Sequence, residues 1–252
     1  MKKTVWVFQL FLLFWAAGAL AEGLEGCDEH IKYGIPSAEP ILLCRMGYAL
    51  SHDPQKKAAR WVAYHLTKEK LEGTQARSDD FRTDPDLPPG ERSELKDYKN
   101  SGYDRGHLAP AADMKWDARA MSDSFLLSNM APQVGAGFNR GIWAVLEERV
   151  RDWTMQRGAV FIFTGPIYAE RHPHIGPNAV SVPTYFYKVV FDPAEGEAIA
   201  FILPNKKLKT GDLPNYITNV DTVEARTGLD FLSELEDSVE DLVEVQIQPS
   251  LW

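Results

Sequence analysis

Four consecutive residues near the middle of the chain combine a candidate base with a candidate phosphate ligand: Asp104, Arg105, Gly106 and His107. A neutral imidazole titrates near working pH, so His107 is a candidate general base. On a strand, Arg105 lies on the same face as His107, and its guanidinium can donate two parallel hydrogen bonds to a phosphate. Gly106 allows close approach of another backbone, and Asp104 is expected to stabilise the turn by hydrogen bonds. These groups suit hydrolysis of a phosphodiester, which also requires a cation.

Periodicity predicts a strand and a helix ahead of this tetrapeptide. Residues 40–50 are typical of a strand. An Asp-Pro pair then predicts a helix over residues 53–71, because proline is favoured at the first helical position. Trp61, His65 and Leu66 recur at helical spacing within it and are expected to face the core.

After the tetrapeptide, the pattern predicts one long amphipathic helix. It begins near Asn139 and stops before Gly158. Its apolar stripe consists of Ile142, Leu146, Val150 and Trp153. Between the two predicted helices, residues 77–100 are polar and rich in proline, which indicates a long surface loop.

Several strands follow the long helix without helices between them. They are predicted at residues 159–164, 180–182, 185–191 and 198–203. Successive strands of this kind favour an antiparallel sheet and an α+β fold. A last helix with an acidic, solvated face is predicted around residues 231–243.

A series of motifs resembles the DNA/RNA non-specific endonuclease (endonuclease G-like) family. It comprises residues 101–111 (SGYDRGHLAPA), 127–133 (LSNMAPQ), 138–143 (FNRGIW), 146–148 (LEE), 163–168 (FTGPIY), 182–190 (VPTYFYKVV), 200–205 (AFILPN) and 227–231 (TGLDF). The matches are in order and cover most of the chain. The resemblance implies a ββα-metal (His-Me finger) motif, in which a hairpin carrying the base packs against a helix carrying a metal ligand, on a central antiparallel β-sheet flanked by helices.

The resemblance also implies the principal site residues. His107 matches the general base, and Asn139 matches the one direct ligand of a divalent ion, Mg²⁺ or alternatively Mn²⁺. Arg105 stays a phosphate ligand on the chemistry of its guanidinium. A single amide oxygen suits Mg²⁺, which keeps much of its water shell. The alternative for Asn139 is a plain helix N-cap. Glu147 matches a glutamate that acts through metal-bound water, and on a regular helix it would lie about 12 Å along the axis from Asn139, too far to share the ion directly.

Three further residues match substrate-binding positions of the family. Arg151 is a candidate phosphate ligand, with an ordinary i,i+4 pair to Glu147 as its alternative. Asn129 matches an asparagine near the site, with a turn residue as the alternative. Arg60 matches an arginine that reaches phosphate, with a solvated helix charge as the alternative.

Other candidate residues carry weaker signals. His172 and His174 flank a proline but lack further ligands at a recognisable spacing, so a metal site is not predicted there. The aromatic run Tyr185, Phe186 and Tyr187 suits base stacking or core packing of a strand.

The formal net charge of −9 is the wrong sign for tight binding of nucleic acid by bulk attraction. Residues 221–245 hold nine of the acidic side chains and a single arginine. Six arginines instead fall around the predicted centre: Arg60, Arg105, Arg119, Arg140, Arg149 and Arg151. We therefore expect a locally positive cleft on an acidic body, and transient handling of substrate.

The N-terminus is typical of a signal peptide. Lys2 and Lys3 precede an apolar stretch that ends in small residues, so cleavage is predicted after Ala21, with an uncleaved membrane anchor as the alternative. Residues 22–252 are then expected to form a single domain, exported to the periplasm or extracellular space, with no membrane contact. In an exported chain, the only two cysteines, Cys27 and Cys44, predict a disulfide, with two buried thiols as the alternative.

Together, the residues and the resemblance predict a secreted, sugar-non-specific endonuclease. Its substrates would be DNA and RNA, its products 5′-phosphorylated, and a homodimer is compatible with the resemblance. Two alternatives stay open: a catalytically silent nucleic-acid-binding protein of the same fold, and a nuclease toxin of narrower substrate scope.

Overall fold

The structure is a computed structural model that describes residues 23–38 and 41–252. The predicted signal peptide, residues 1–21, lies outside the described residues. The strands are β1 Ile41–Cys44, β2 Ala49–Asp53, β3 Ala58–Thr67, β4 Tyr103–His107, β5 Met130–Val134, β6 Ala159–Ile167, β7 His174–Ile175, β8 Val180–Ser181, β9 Tyr185–Asp192, β10 Glu197–Pro204 and β11 Ile217–Thr218. The α-helices are α1 Lys68–Leu71, α2 Leu95–Tyr98, α3 Ala118–Asp123, α4 Ala144–Arg157, α5 Val220–Thr227 and α6 Asp237–Val245.

Seven strands form one central antiparallel sheet in the order β1-β2-β3-β6-β9-β10-β11. The pairs β4-β5 and β7-β8 form two small sheets beside it. The predicted α+β class and antiparallel sheet are therefore confirmed. The strands predicted in the second half of the chain correspond to β6, β8, β9 and β10, and the strand predicted over residues 40–50 is divided by a turn into β1 and β2.

The helix predicted over residues 53–71 is wrong. Asp53 does accept hydrogen bonds from the backbone N–H groups of Gln55 and Lys56, but these close a turn that leads into strand β3. Only the single turn of α1 follows. Because β3 is a central strand covered on both faces, its apolar residues form a nearly continuous run, and such a run matches helical spacing as readily as strand alternation.

The two faces of the sheet are buried by different parts of the chain. On one face, Val62 and Tyr64 of β3 pack in a cluster with Leu146 and Val150 of α4. On the other face, Trp61 belongs to a cluster that includes buried side chains from α5 and α6. Each helix thus covers one side of a sheet that could not otherwise exclude water.

The long helix is confirmed in its end and in the stripe residues Leu146, Val150 and Trp153, which are buried, but it begins later than predicted, so Ile142 precedes it. Helix α4 runs from Ala144 to Arg157 and is capped by Gly158, whose φ of 90° is accessible to glycine. Asn139 lies before it, in the irregular π-helical segment Gly135–Trp143. That segment contains non-helical dihedrals at Gly137 and Gly141, so the regular-helix geometry expected between Asn139 and Glu147 does not apply.

The chain ends agree in part with expectation. A disulfide joins Cys27 to Cys44, with a Cα–Cα distance of 5.6 Å. The last helix is shifted by several residues from its prediction, to α6. No helix within the described residues combines the length and apolar composition needed to cross a bilayer.

Candidate active site

Strands β4 and β5, the irregular segment and α4 together form the predicted ββα arrangement. His107 at the end of β4 pairs with Met130 at the start of β5, and Gly106 pairs with Ala131. A Cβ atom at Gly106 would collide with the buried side chain of Gln133, so glycine makes room for that side chain over the strand. The hairpin thereby holds His107 beside the start of the helical segment.

His107 lies in an apolar environment that keeps its imidazole neutral. Its ring makes edge contacts with Phe125 and Phe81, at centroid distances of 5.0 and 5.7 Å. Burial, followed by the positive charge of Arg77, lowers the pKa of His107 to about 3, and the carboxylate of Asp79 opposes this only in part. The buried Nε2 atom has no hydrogen-bond partner among the described residues. A neutral imidazole is the form required of a base.

Asn139 is held by the tetrapeptide itself. Its Nδ2 donates a hydrogen bond of 2.8 Å to Oδ2 of Asp104, which also accepts one from Arg140. Because the amide nitrogen is bonded to Asp104, the Oδ1 atom is the ligand atom that Asn139 can offer to a cation. Asp104 therefore connects β4 to Asn139, whereas the sequence predicted only that it would stabilise its own turn.

A buried charge network lies under this part of the cleft. Arg151 donates a hydrogen bond of 3.1 Å to Asp113, which also accepts one of 3.0 Å from the hydroxyl of Tyr64. Burial raises the pKa of Glu147 to about 7, and the positive charge of Lys188 opposes the rise. Burial also lowers the pKa of Lys188 to about 8. With a pKa of about 7, Glu147 is only partly ionised at neutral pH, so small electrostatic changes alter its charge.

His107, Asn139 and Glu147 line one cleft of about 790 Å³, and Asp113 and Lys188 lie behind its wall. The predicted residues that line it are Arg105, His107, Asn139, Arg140, Glu147 and Arg151. The guanidinium of Arg105 lies 4.0 Å from the ring centroid of Phe81. This stacking orients a cation on the same wall as the base, which suits an anionic phosphate.

Two predicted substrate-binding residues lie elsewhere. Asn129 is fully buried: its Oδ1 accepts a hydrogen bond from the N–H of Ala109, and its Nδ2 donates to the carbonyls of Ala109 and Ser124, each at 2.9 Å. It therefore supports the chain after His107 and does not face the cleft. Arg60 lines a separate cavity of about 200 Å³ together with Arg226. Arg119 and Arg149 also lie outside the lining of the active-site cleft.

The sequence did not reveal the residues that surround the cleft groups and alter their charge or orientation. Lys188 is fully buried in β9, with its Nζ 4.9 Å from the ring centroid of Trp143. A single lysine inside the apolar run YFYKVVFD was the available signal, because a buried charge requires a reason. Asp113 and Phe81 carried no comparable pattern, and only the fold brings Phe81 to the cleft and Asp113 to Arg151.

The weaker candidates are placed as follows. Phe186 and Tyr187 are fully buried core residues, which excludes base stacking by either. The rings of His172 and His174 are tilted by 41° with their centroids 5.0 Å apart, and the described residues hold no three-residue metal-ligand group around them. His65 lies on a strand and stacks against Phe161 at 4.3 Å.

Comparisons with known proteins agree with this geometry. The family model described as DNA/RNA non-specific endonuclease matches residues 27–238. The chain is 40% identical over 235 residues to a nuclease from Syncephalastrum racemosum, covering 84% of this chain and 73% of the relative. It is 36% identical over 244 residues to nuclease 1, mitochondrial, from Schizosaccharomyces pombe, covering 88% and 76%. A crystal structure of the EndoG/EndoGI complex superposes with a TM-score of 0.79 at 32% identity, covering 88% of this chain and 95% of that one.

These relatives correct one expectation. The predicted export to the periplasm or extracellular space is wrong, because relatives from Schizosaccharomyces pombe, Saccharomyces cerevisiae, Bos taurus and Homo sapiens are named as mitochondrial. The N-terminal pattern suggested export because a short apolar stretch after two lysines reads the same way whichever compartment the protein occupies.

Proposed function

Since this chain belongs to the DNA/RNA non-specific endonuclease family and is a nuclease, we propose that it cleaves both DNA and RNA and leaves 5′-phosphorylated products. One observation carries the proposal: the neutral imidazole of His107 and the amide of Asn139, tied to Asp104, line the same cleft. A base and a cation ligand on opposite elements of one hairpin–helix unit suit attack on a phosphodiester.

The chain's own residues account for the proton and the phosphate. His107 accepts a proton from the attacking water, and the low pKa of its imidazole means that no proton must first be lost. Arg105 donates to the phosphate oxygens and stabilises the charge that develops there. Arg151 is held by Asp113 at the cleft wall and is proposed as a second phosphate ligand.

The family is divalent-metal dependent, and the donors in the cleft fit such an ion. We propose that Oδ1 of Asn139 holds Mg²⁺, with Mn²⁺ as an alternative, and that Glu147 acts through water. Hard cations prefer oxygen ligands, and Mg²⁺ is commonly held by few protein atoms. When bound, the ion neutralises negative charge on the phosphate and on the leaving oxygen.

Broad substrate use follows from the kind of contact available. The arginines of the cleft recognise phosphate, which DNA and RNA share and which carries no base sequence. The acidic body, with a net charge of −9, favours rapid release over tight binding. We also propose that residues 22–252 form one endonuclease domain. The homodimer stays a prediction, for which sedimentation is the measurement.

The base assignment is tested with His107→Ala on plasmid DNA and on RNA in Mg²⁺. We expect a loss of at least about 100-fold on both substrates. The matched control is His174→Ala, at an exposed histidine on β7 outside the cleft, which is expected to cleave at the wild-type rate. Equal activity of wild type and His107→Ala would exclude His107 as the base.

The ends of the products and the two alternative functions need separate measurements. Products that accept a 3′-labelling nucleotide and carry a phosphatase-sensitive 5′ end support the proposed chemistry, while 3′-phosphate ends contradict it. Metal-independent binding without cleavage would favour the silent binding protein. Sharply uneven cleavage across single- and double-stranded DNA and RNA would favour a nuclease of narrower scope.

A further inference from the structure

Three carboxylates converge on the side of the molecule away from the cleft. Asp221 and Glu224 lie one turn apart on α5, and Glu244 lies near the end of α6. One carboxylate oxygen from each lies within 4.8 Å of the other two. Two helices that are adjacent in space thus bring three carboxyl groups together.

Glu244 is the unusual member of this group. It is only 7% exposed, and its buried Oε1 has no hydrogen-bond partner among the described residues. A buried polar atom without a partner costs free energy, and a buried carboxylate costs more. Burial and the nearby carboxylates, Glu224 first, raise the pKa of Glu244 to about 8.

No ion pair balances the group within residues 23–38 and 41–252. None of the ion pairs in that part of the chain involves Asp221, Glu224 or Glu244. Glu224 accepts one backbone hydrogen bond of 2.8 Å, from Phe231, through Oε1, which leaves Oε2 available. Like charges placed this close repel one another unless something positive lies between them.

The geometry points to a cation, and we propose that Asp221, Glu224 and Glu244 bind one divalent ion of the calcium class that ties α5 to α6. Ca²⁺ takes carboxylate oxygens at about 2.3–2.6 Å in flexible geometry. Oxygens on a sphere of that radius lie at most about 5 Å apart, which matches their spacing here. Mg²⁺ requires shorter distances and stricter octahedral geometry, so it fits less well.

The ion would stabilise the C-terminal helices without reaching the cleft. Val223 of α5 and Val243 of α6 are buried in the cluster on the sheet face opposite to α4. Asn219, the N-cap of α5, donates a hydrogen bond of 3.0 Å to the carbonyl of Val245, so the start of α5 meets the end of α6. A cation at this junction would bind carboxylates of both helices and so stabilise their packing.

The test is thermal unfolding of chelator-treated full chain, with and without added Ca²⁺ or Mg²⁺. Four proteins are compared: wild type, Glu244→Gln, Asn139→Ala, which disables the cleft ligand, and Glu195→Gln, which removes an exposed acid between β9 and β10. At Ca²⁺ about 100-fold above Kd, a rise in Tm of about 5–10 °C is expected for wild type, Asn139→Ala and Glu195→Gln. Glu244→Gln is expected to lose most of that rise and to keep wild-type nuclease activity in Mg²⁺.

Several outcomes would overturn the proposal. One is a Ca²⁺ response in Glu244→Gln equal to that of wild type, and another is its disappearance in Asn139→Ala, which would assign the ion to the cleft. A wild-type Tm that rises at lower pH and ignores Ca²⁺ would show that the carboxyl groups share protons instead. If Glu244→Gln does not fold, Asp221→Asn at the exposed member replaces it, with the same loss expected.

Discussion

The cleft and the acidic junction of α5 and α6 lie on opposite faces of one sheet. They differ in the signs of the charged groups that they bring together. In the cleft, carboxylates and cations are interleaved: Arg151 bonds to Asp113, and Lys188 faces Glu147. At the junction, the charges that raise the pKa of Glu244 are those of other carboxylates. In a mixed network the charges offset one another, whereas a group of one sign must take up protons or, as we propose here, a cation.

Removal of one carboxylate should therefore have unlike effects in the two regions. Asp104→Asn weakens the acceptor that holds Asn139, so we expect the Mg²⁺ concentration for half-maximal cleavage to rise by about 10- to 100-fold. The matched change is Asp230→Asn, an exposed acid near the junction, for which no rise is expected. Equal Mg²⁺ dependence of Asp104→Asn and wild type would show that Asp104 does not position the metal ligand.

Phosphate binding in the cleft depends on geometry as well as on charge. Arg105→Lys keeps the charge but loses the planar pair of donors and the stacking on Phe81, so we expect kcat/KM to fall by about 10-fold. Arg149→Lys on the exposed side of α4 is the control and should be unchanged. Full activity of Arg105→Lys would show that only the positive charge of Arg105 is needed and not its planar pair of donors.

The smallest expected effect concerns the coupling of Lys188 to Glu147. The Lys188 ammonium lowers the pKa of Glu147, which burial raises to about 7, so its removal in Lys188→Met raises that pKa further. The carboxylate then forms only at higher pH, and the acidic limb of the profile of kcat against pH should move upward by about one unit. Lys32→Met, at an exposed lysine, should leave the profile in place. If the acidic limb of the Lys188→Met profile does not move, Lys188 does not control the ionisation of Glu147.

Sequence reasoning succeeded where the signal was local. The apolar stripe of α4 and its end at Gly158 follow from helical periodicity and from the freedom of glycine at positive φ. It failed for β3, because a strand buried on both faces lacks the alternation that distinguishes strand from helix. It could not show that Arg60 and Asn129 lie outside the lining of the cleft, because a motif indicates that a residue matters and not which way its side chain lies.

What the sequence by itself determined is the chemistry: a histidine, an arginine and an asparagine in an order typical of one family, and a chain whose acidic residues gather at its C-terminal end. The tertiary structure alone decided how those groups behave. It buries His107 against Phe125, so that the imidazole is neutral. It also brings Asp104 to Asn139 and Glu244 to Glu224, because pairing of distant segments sets burial and charge separation, and both control pKa and cation binding.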